Sequence, residues 1–246
     1  MLNAVSGSDQ AAFGAKTQAA QQTVRYFYFI KEHATIKMTK DYQRFLNSMN
    51  IDYFKWHDGV GYDLDALRKL SPDEHNKVEN VLIERGVKDW RDIEALVEIG
   101  SEKAFSAVKN ALKSDNYEVR ITATEKLSEK NIISDKEVET ILVETMPLVS
   151  ILNGQTLTLR LAEEFPTSAV KRALLWCALH GNDDIRVHAA ALIYFLYGIA
   201  TSSFDWNYRP FYLRFGDKNI SNRKLAYDEL CNKIQVDPHW AIDESS

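Results

Sequence analysis

Asn116-Tyr117-Glu118-Val119-Arg120, running on to Ala123 and Leu127, is the stretch from which the fold is read. Asparagine is a helix-capping residue, because its side-chain oxygen accepts the free N–H groups of a first turn. Val119, Ala123 and Leu127 then fall on one helical face. The alanine lets a neighbouring helix approach closely, and the leucine one turn on fills the space between the pair. The pattern recurs. Asp183-Asp184-Ile185-Arg186 continues to Ala189 and Ile193, and Asn219-Ile220-Ser221-Asn222-Arg223 to Ala226 and Leu230. Leu159-Arg160-Leu161-Ala162 is a looser copy, with Glu163 where the alanine should stand, and Arg91 in Asp89-Trp90-Arg91-Asp92 marks another. In the last full copy Asn222 replaces the apolar residue before the arginine. The intervals between copies are uneven, as in degenerate helical-hairpin arrays.

Between the copies lie further helix starts. Ser71-Pro72-Asp73-Glu74 and Ser134-Asp135-Lys136-Glu137 read as capping boxes, the first with proline at the opening helical position. Ser101 and Thr167 head two more helices, and Gly86 ends one. Apolar residues at three and four spacing follow each start, and no stretch alternates at period two. The expected fold is all-α, with short loops that set consecutive helices side by side and no sheet.

Composition agrees. Ten glycines and five prolines in 246 residues are roughly half the average share, which argues against glycine-rich phosphate loops and many-turn β folds. The net charge of −5 makes nucleic acid an unfavoured partner, since phosphate binding calls for a basic surface. Cys177 and Cys231 form neither a disulfide framework nor a zinc spacing. The longest dense apolar stretch, residues 189–200, contains a glycine and is too short to span a bilayer. No secretory signal is read at the N-terminus. Cytoplasmic location and no membrane contact are therefore expected. Residues 1–37 are small and polar before the aromatic cluster Tyr26-Phe27-Tyr28-Phe29. They read as an N-terminal extension or an ordinary first helix, with 38–246 as a single domain.

At the arginine-bearing copies, clearest over residues 87–235, the chain resembles HEAT-like repeat proteins of the short bacterial variety. Their second helix carries D-x-x-V-R-x-x-A, matched best at Arg120 and Arg186. The resemblance implies a short right-handed α-solenoid, with outer helices on a convex face and inner helices lining a concave one. Nothing in the repeat motif is itself catalytic.

The candidate contact residues fall into three groups. Trp56, Asp58, Tyr62 and Asp63 lie in a segment dense in aromatics and acids; exposed Trp, Tyr and Asp together serve as partner anchors, and a loop leading into a helix capped by Asp63 is the plainer alternative. Its glycine spacing supplies one turn of a calcium-binding repeat, which cannot build a site alone. Trp90, Trp206, Tyr208 and Arg209 form a second aromatic and charged set, which either packs a capping segment before the last copy or makes a ligand-facing lip, and Arg91 and Glu94 join it as expected contact residues. The third is the ladder of Arg120, Arg160, Arg186 and Arg223. Each arginine either pairs with an acidic residue of the next repeat or contributes to a basic stripe. No histidine pair, nucleophile elbow or phosphate loop is present, so no catalytic residue, cofactor or metal is assigned.

Curved helical arrays mainly bind proteins. The reading is a non-catalytic binding module, acting as a monomer or in a 1:1 complex. HEAT-like proteins of this length resemble bacterial immunity proteins, which implies an antitoxin-type inhibitor of a basic toxin domain. The alternatives implied by the same resemblance are a HEAT-like alkylpurine DNA glycosylase or other DNA-binding enzyme, and a phycobilin-lyase-like or general scaffold.

Overall fold

Capping side chains set where the helices begin. Ser71 and Ser134 each accept the N–H three residues on, while Glu74 and Glu137 reach back to the cap's own N–H. Asn116, Thr167, Asn182 and Asn219 accept first-turn N–H groups in the same way. Gly86 and Gly100 follow helix ends in the left-handed region that glycine adopts freely.

The computed structural model describes residues 38–241. These form thirteen α-helices: α1 (Lys40–Ser48), α2 (Tyr53–His57), α3 (Leu64–Leu67), α4 (Pro72–Glu84), α5 (Trp90–Ile99), α6 (Glu102–Ala111), α7 (Tyr117–Glu129), α8 (Asp135–Thr145), α9 (Gln155–Glu164), α10 (Ser168–His180), α11 (Asp183–Leu196), α12 (Arg209–Tyr212) and α13 (Ile220–Ile234). There is no strand among the described residues, only isolated bridges at Ser150. The all-α expectation holds. The extension expected at 1–37, with its aromatic cluster, lies outside the described residues, as do 242–246.

One difference from the sequence reading stands out. Residues 53–57, expected as loop, form a helical turn because Asp52 accepts the Lys55 N–H. The segment after α11 folds into 3-10 turns around the short α12, headed by Asp205 accepting from Asn207.

Helices pack in two rows. In one, α3 contacts α5, α5 contacts α7, α7 contacts α9 and α9 contacts α11. In the other, α4 contacts α6 and α8 contacts α10, while α13, which carries Arg223, contacts both α10 and α11. Pairs α4/α5, α6/α7, α8/α9 and α10/α11 join the rows. The motif alanines Ala123, Ala189 and Ala226 are fully buried, as close helix approach demands, and so is Ala162 beside Glu163 in the looser copy. One continuous apolar cluster runs from Tyr42 to Ala241.

The motif arginine works on backbone. Arg120 Nε donates to the Ser114 carbonyl at 2.9 Å. Arg186 Nη1 donates to the Gly181 carbonyl at 2.9 Å, and Arg223 Nη1 to the Asp217 carbonyl at 2.7 Å. Each thereby satisfies a carbonyl in the loop that leads into its own helix. Two also reach across the fold, Arg186 Nε to the Phe215 carbonyl and Arg223 Nε to the Leu179 carbonyl. The expected pairing with an acidic neighbour occurs at Arg160, whose guanidinium grips both Glu125 oxygens from α7 at 2.6 and 2.8 Å.

Gly154 closes the turn between α8 and α9 with φ +80°. A Cβ there would lie 2.8 Å from the Tyr117 carbonyl carbon and 2.9 Å from the Glu118 nitrogen. Both contacts are backbone, which cannot swing aside. Gly154→Ala is expected to cost about 2 kcal/mol or more, from strain and clash together. Urea unfolding checks this, and an unchanged midpoint would contradict it.

Candidate functional site

Three successive helices of the arginine-bearing row enclose a cleft of about 370 Å³. From α5 come Trp90 and Glu94, four residues apart and so on one face. From α7 come Glu118, Thr122, Glu125 and Lys126, and from α9 Leu157 and Arg160. The walls are thus set by helical spacing, and their meeting by the packing of α5 on α7 and α7 on α9.

The charges divide into paired and unpaired. Arg160 is held by Glu125 and by Glu164, and Lys126 by Glu129 at 3.0 Å. Glu94 and Glu118 have no ion-pair partner within 4.0 Å among the described residues. Partial burial holds both carboxyls above the ordinary glutamate range; Asp89 pushes Glu118 further, while Lys126 and Arg91 moderate Glu94. The cleft therefore carries two carboxylates whose desolvation is not offset by a close cation.

The indole of Trp90 is fixed in place. The Arg91 guanidinium lies over its ring at 4.4 Å. On the loop side, a Cβ at Gly61 would sit 3.6 Å from the indole. Arg91 itself is 1% exposed; its Nε donates to the Val60 carbonyl at 2.6 Å and its Nη1 to both Asp89 oxygens at 3.0 Å.

A raised carboxyl pKa in the folded state has a definite stability signature. The fold disfavours the ionised group, so the penalty is absent below the unfolded-state pKa and fully present once pH exceeds the raised folded value. Glu118→Gln is therefore expected to raise the Tm at pH 7, on the order of 1–3 °C, and to leave it unchanged at pH 4. Thermal melts at the two pH values check this; equal shifts at both would contradict it.

The other sequence-predicted residues are placed elsewhere. Trp56 is 63% exposed on α2, beside the exposed Tyr53 and Phe54, and Asp58 pairs with His57 at 2.9 Å. Tyr62 turns inward: its hydroxyl donates to Asp92 at 3.0 Å and accepts from Arg85 at 2.6 Å. Asp63 caps α3 through the Ala66 N–H and pairs with Arg44, which holds its carboxyl below the ordinary aspartate range. Arg120 is half-buried beside Tyr117. Arg186 is buried, bonded to two carbonyls and to Asp183. Trp206 is exposed with the Arg209 guanidinium over its ring at 5.2 Å, and neither lines the cleft.

Burial corrects part of the expected contact set. A partner at the surface meets neither Arg91 nor Arg186, and Tyr62 offers it no free hydroxyl. The arginine ladder is accordingly no basic stripe, because its best copies face main-chain carbonyls. Of the expected set, Trp90, Glu94 and Arg160 share one site. Glu118, Thr122, Glu125, Lys126 and Leu157 complete it and were not anticipated. Their signal was the polar face of α7 at positions 118, 122 and 125, legible only once the neighbouring helices are known.

No protein-family model matches this chain, and no curated protein or solved structure matches it either. Among the described residues no group of histidine, cysteine and carboxylate side chains has the arrangement to hold a metal ion, and no helix is long and apolar enough to cross a membrane. Cys177 and Cys231 are buried free thiols, pushed up by burial to about 12 and about 11.

Proposed function

We propose that this chain is a non-catalytic protein-binding module, a short right-handed solenoid of HEAT-like hairpins over 38–246, that holds a basic partner protein against its arginine-bearing row. The observation that carries the reading is the pair of uncompensated carboxylates, Glu94 and Glu118, in the cleft beside Trp90. A lysine or arginine of a partner entering there supplies the missing counter-charge in partly desolvated surroundings, where it is worth more than at an open surface. The net charge of −5 adds long-range attraction for a basic protein. An immunity-type inhibitor that neutralises a basic toxin domain in the cytoplasm is the role that best suits these features.

The DNA-glycosylase reading is weaker on the same geometry. Carboxylates line the cleft and would repel phosphate, and Asp205 uses its oxygens to bond Thr201 and Asn207.

The test is capture of a partner from the source cells by the tagged chain, followed by titration of the recovered protein. Expected are a basic protein, affinity that falls as salt rises, and a loss of about tenfold or more in the Glu94→Gln/Glu118→Gln variant. Recovery of nucleic acid alone, or of no protein, would overturn the reading.

A further inference from the structure

The turn between α8 and α9 projects apolar side chains into solvent. Ile151 is 64% exposed and Leu152 93%, with Leu148 at 52% beside them. Single exposed leucines need no explanation, but this turn is built rather than loose. Ser150 and Asn153 exchange backbone hydrogen bonds across it. Asn153 Oδ1 accepts the Tyr117 and Glu118 N–H groups at 2.9 and 3.3 Å, fastening the turn to the start of α7. On the other side Ile151 N donates to Asp184 at 3.2 Å, and Asn182 Nδ2 donates to the Val149 carbonyl at 2.7 Å. Gly154 then presses its backbone against Tyr117 too closely for any side chain. The chain thus presents two large aliphatic groups at low entropic cost to any partner, the hallmark of a preorganised anchor.

The same first turn of α7 holds Glu118, one of the two uncompensated carboxylates of the cleft. Apolar anchor and negative cleft are therefore neighbours on one scaffold. We infer that the Ile151–Leu152 turn and the Trp90–Glu94–Glu118 cleft form one docking surface for a basic segment of a partner protein, an arginine or lysine entering the cleft and an adjacent aliphatic residue packing on Leu152. The inference rests on the basic-partner reading above and adds where the partner sits and what sequence chemistry it brings. Charge selects the occupant: a second copy of this acidic chain would bring no counter-charge surplus to Glu94 and Glu118.

The probe is a synthetic peptide, acetyl-Leu-Leu-Gly-Arg-Gly-Arg-amide, titrated into the full-length protein and followed by NMR of amides, methyls and indoles. Controls replace both arginines by glutamate or both leucines by serine. Expected are shifts at Ile151, Leu152 and the Trp90 indole for the parent peptide, with either control about threefold or more weaker. Leu152→Asp and Glu94→Gln/Glu118→Gln should each weaken the parent by about the same factor, with no fall in Tm. No shift up to about 5 mM peptide, equal response to the glutamate peptide, or shifts confined to Tyr53 and Trp56 would overturn the inference. So would a concentration-dependent dimer that Leu152→Asp abolishes. If the tagged chain recovers a basic protein whose affinity ignores Leu152→Asp, this inference falls and the broader reading stands; if it recovers no protein, both fall.

Discussion

Asp92→Ala is expected to destabilise the protein by about 3–5 kcal/mol, the range for removing one partner from a buried charged network. The side chain of Asp92 is 2% exposed. It accepts from the Tyr62 hydroxyl at 3.0 Å, from the Lys88 and Asp89 N–H groups at 3.1 and 3.2 Å, and from the Arg85 guanidinium. Alanine orphans the Tyr62 hydroxyl proton and the Lys88 and Asp89 N–H groups at once, and leaves Arg85 with the Tyr62 oxygen alone. The helix start of α5 loses its reciprocal cap, and the loop bearing Tyr62 keeps only the Arg91–Val60 hydrogen bond among its polar ties to that helix. For a chain of this size the Tm should fall by about 10 °C. Asp92→Asn keeps an acceptor and the side-chain volume, so it should cost distinctly less. Guanidinium unfolding of the three proteins decides the point; a cost below about 1 kcal/mol for alanine would contradict the network's role.

Arg186→Met is expected to cost about 2–4 kcal/mol, whereas Arg160→Met should cost less, about 1–2 kcal/mol. Both arginines stand at the same place in the motif, and methionine keeps most of the aliphatic stem in each. Their surroundings differ. Arg186 is 5% exposed and bonds the Phe215 and Gly181 carbonyls, so its loss leaves buried acceptors unpaired on two segments. The Arg160 side chain is 46% exposed and pairs with Glu164, 49% exposed, and with Glu125, 12% exposed but lining a cleft that water enters. Equal costs at the two sites would mean that the motif arginine does not act through the buried carbonyls.

The contrast explains how far the sequence could be read. Helix starts were legible because a cap is a local device: Ser71, Ser134 and Asn116 find their acceptor or donor partners within three residues. The recurrence of arginine and alanine was legible for the same reason. The arginine's partner was not. A carbonyl carries no residue identity, and Phe215 and Leu179 lie far along the chain from Arg186 and Arg223. The aromatic and acidic segment around Trp56 misled in part, because composition does not tell an exposed anchor such as Trp56 from Tyr62, which faces a buried carboxylate. In the cleft, Trp90, Glu94 and Arg160 stood out as aromatic or charged, while Glu118 looked like an ordinary first-turn acid. Only the packing of α5, α7 and α9 shows that it lacks a counter-charge.

The proposed basic partner is held on the arginine-bearing row at the cleft. Cross-linking of the tagged chain to that partner in the source cells, with the linked residues located by mass spectrometry, checks this. Links that cluster at Lys126 and the neighbouring carboxylates of α5, α7 and α9, to lysines and carboxylates of a basic protein, are the predicted result. Links confined to α4, α6, α8 and α10, or to an acidic partner, would contradict it.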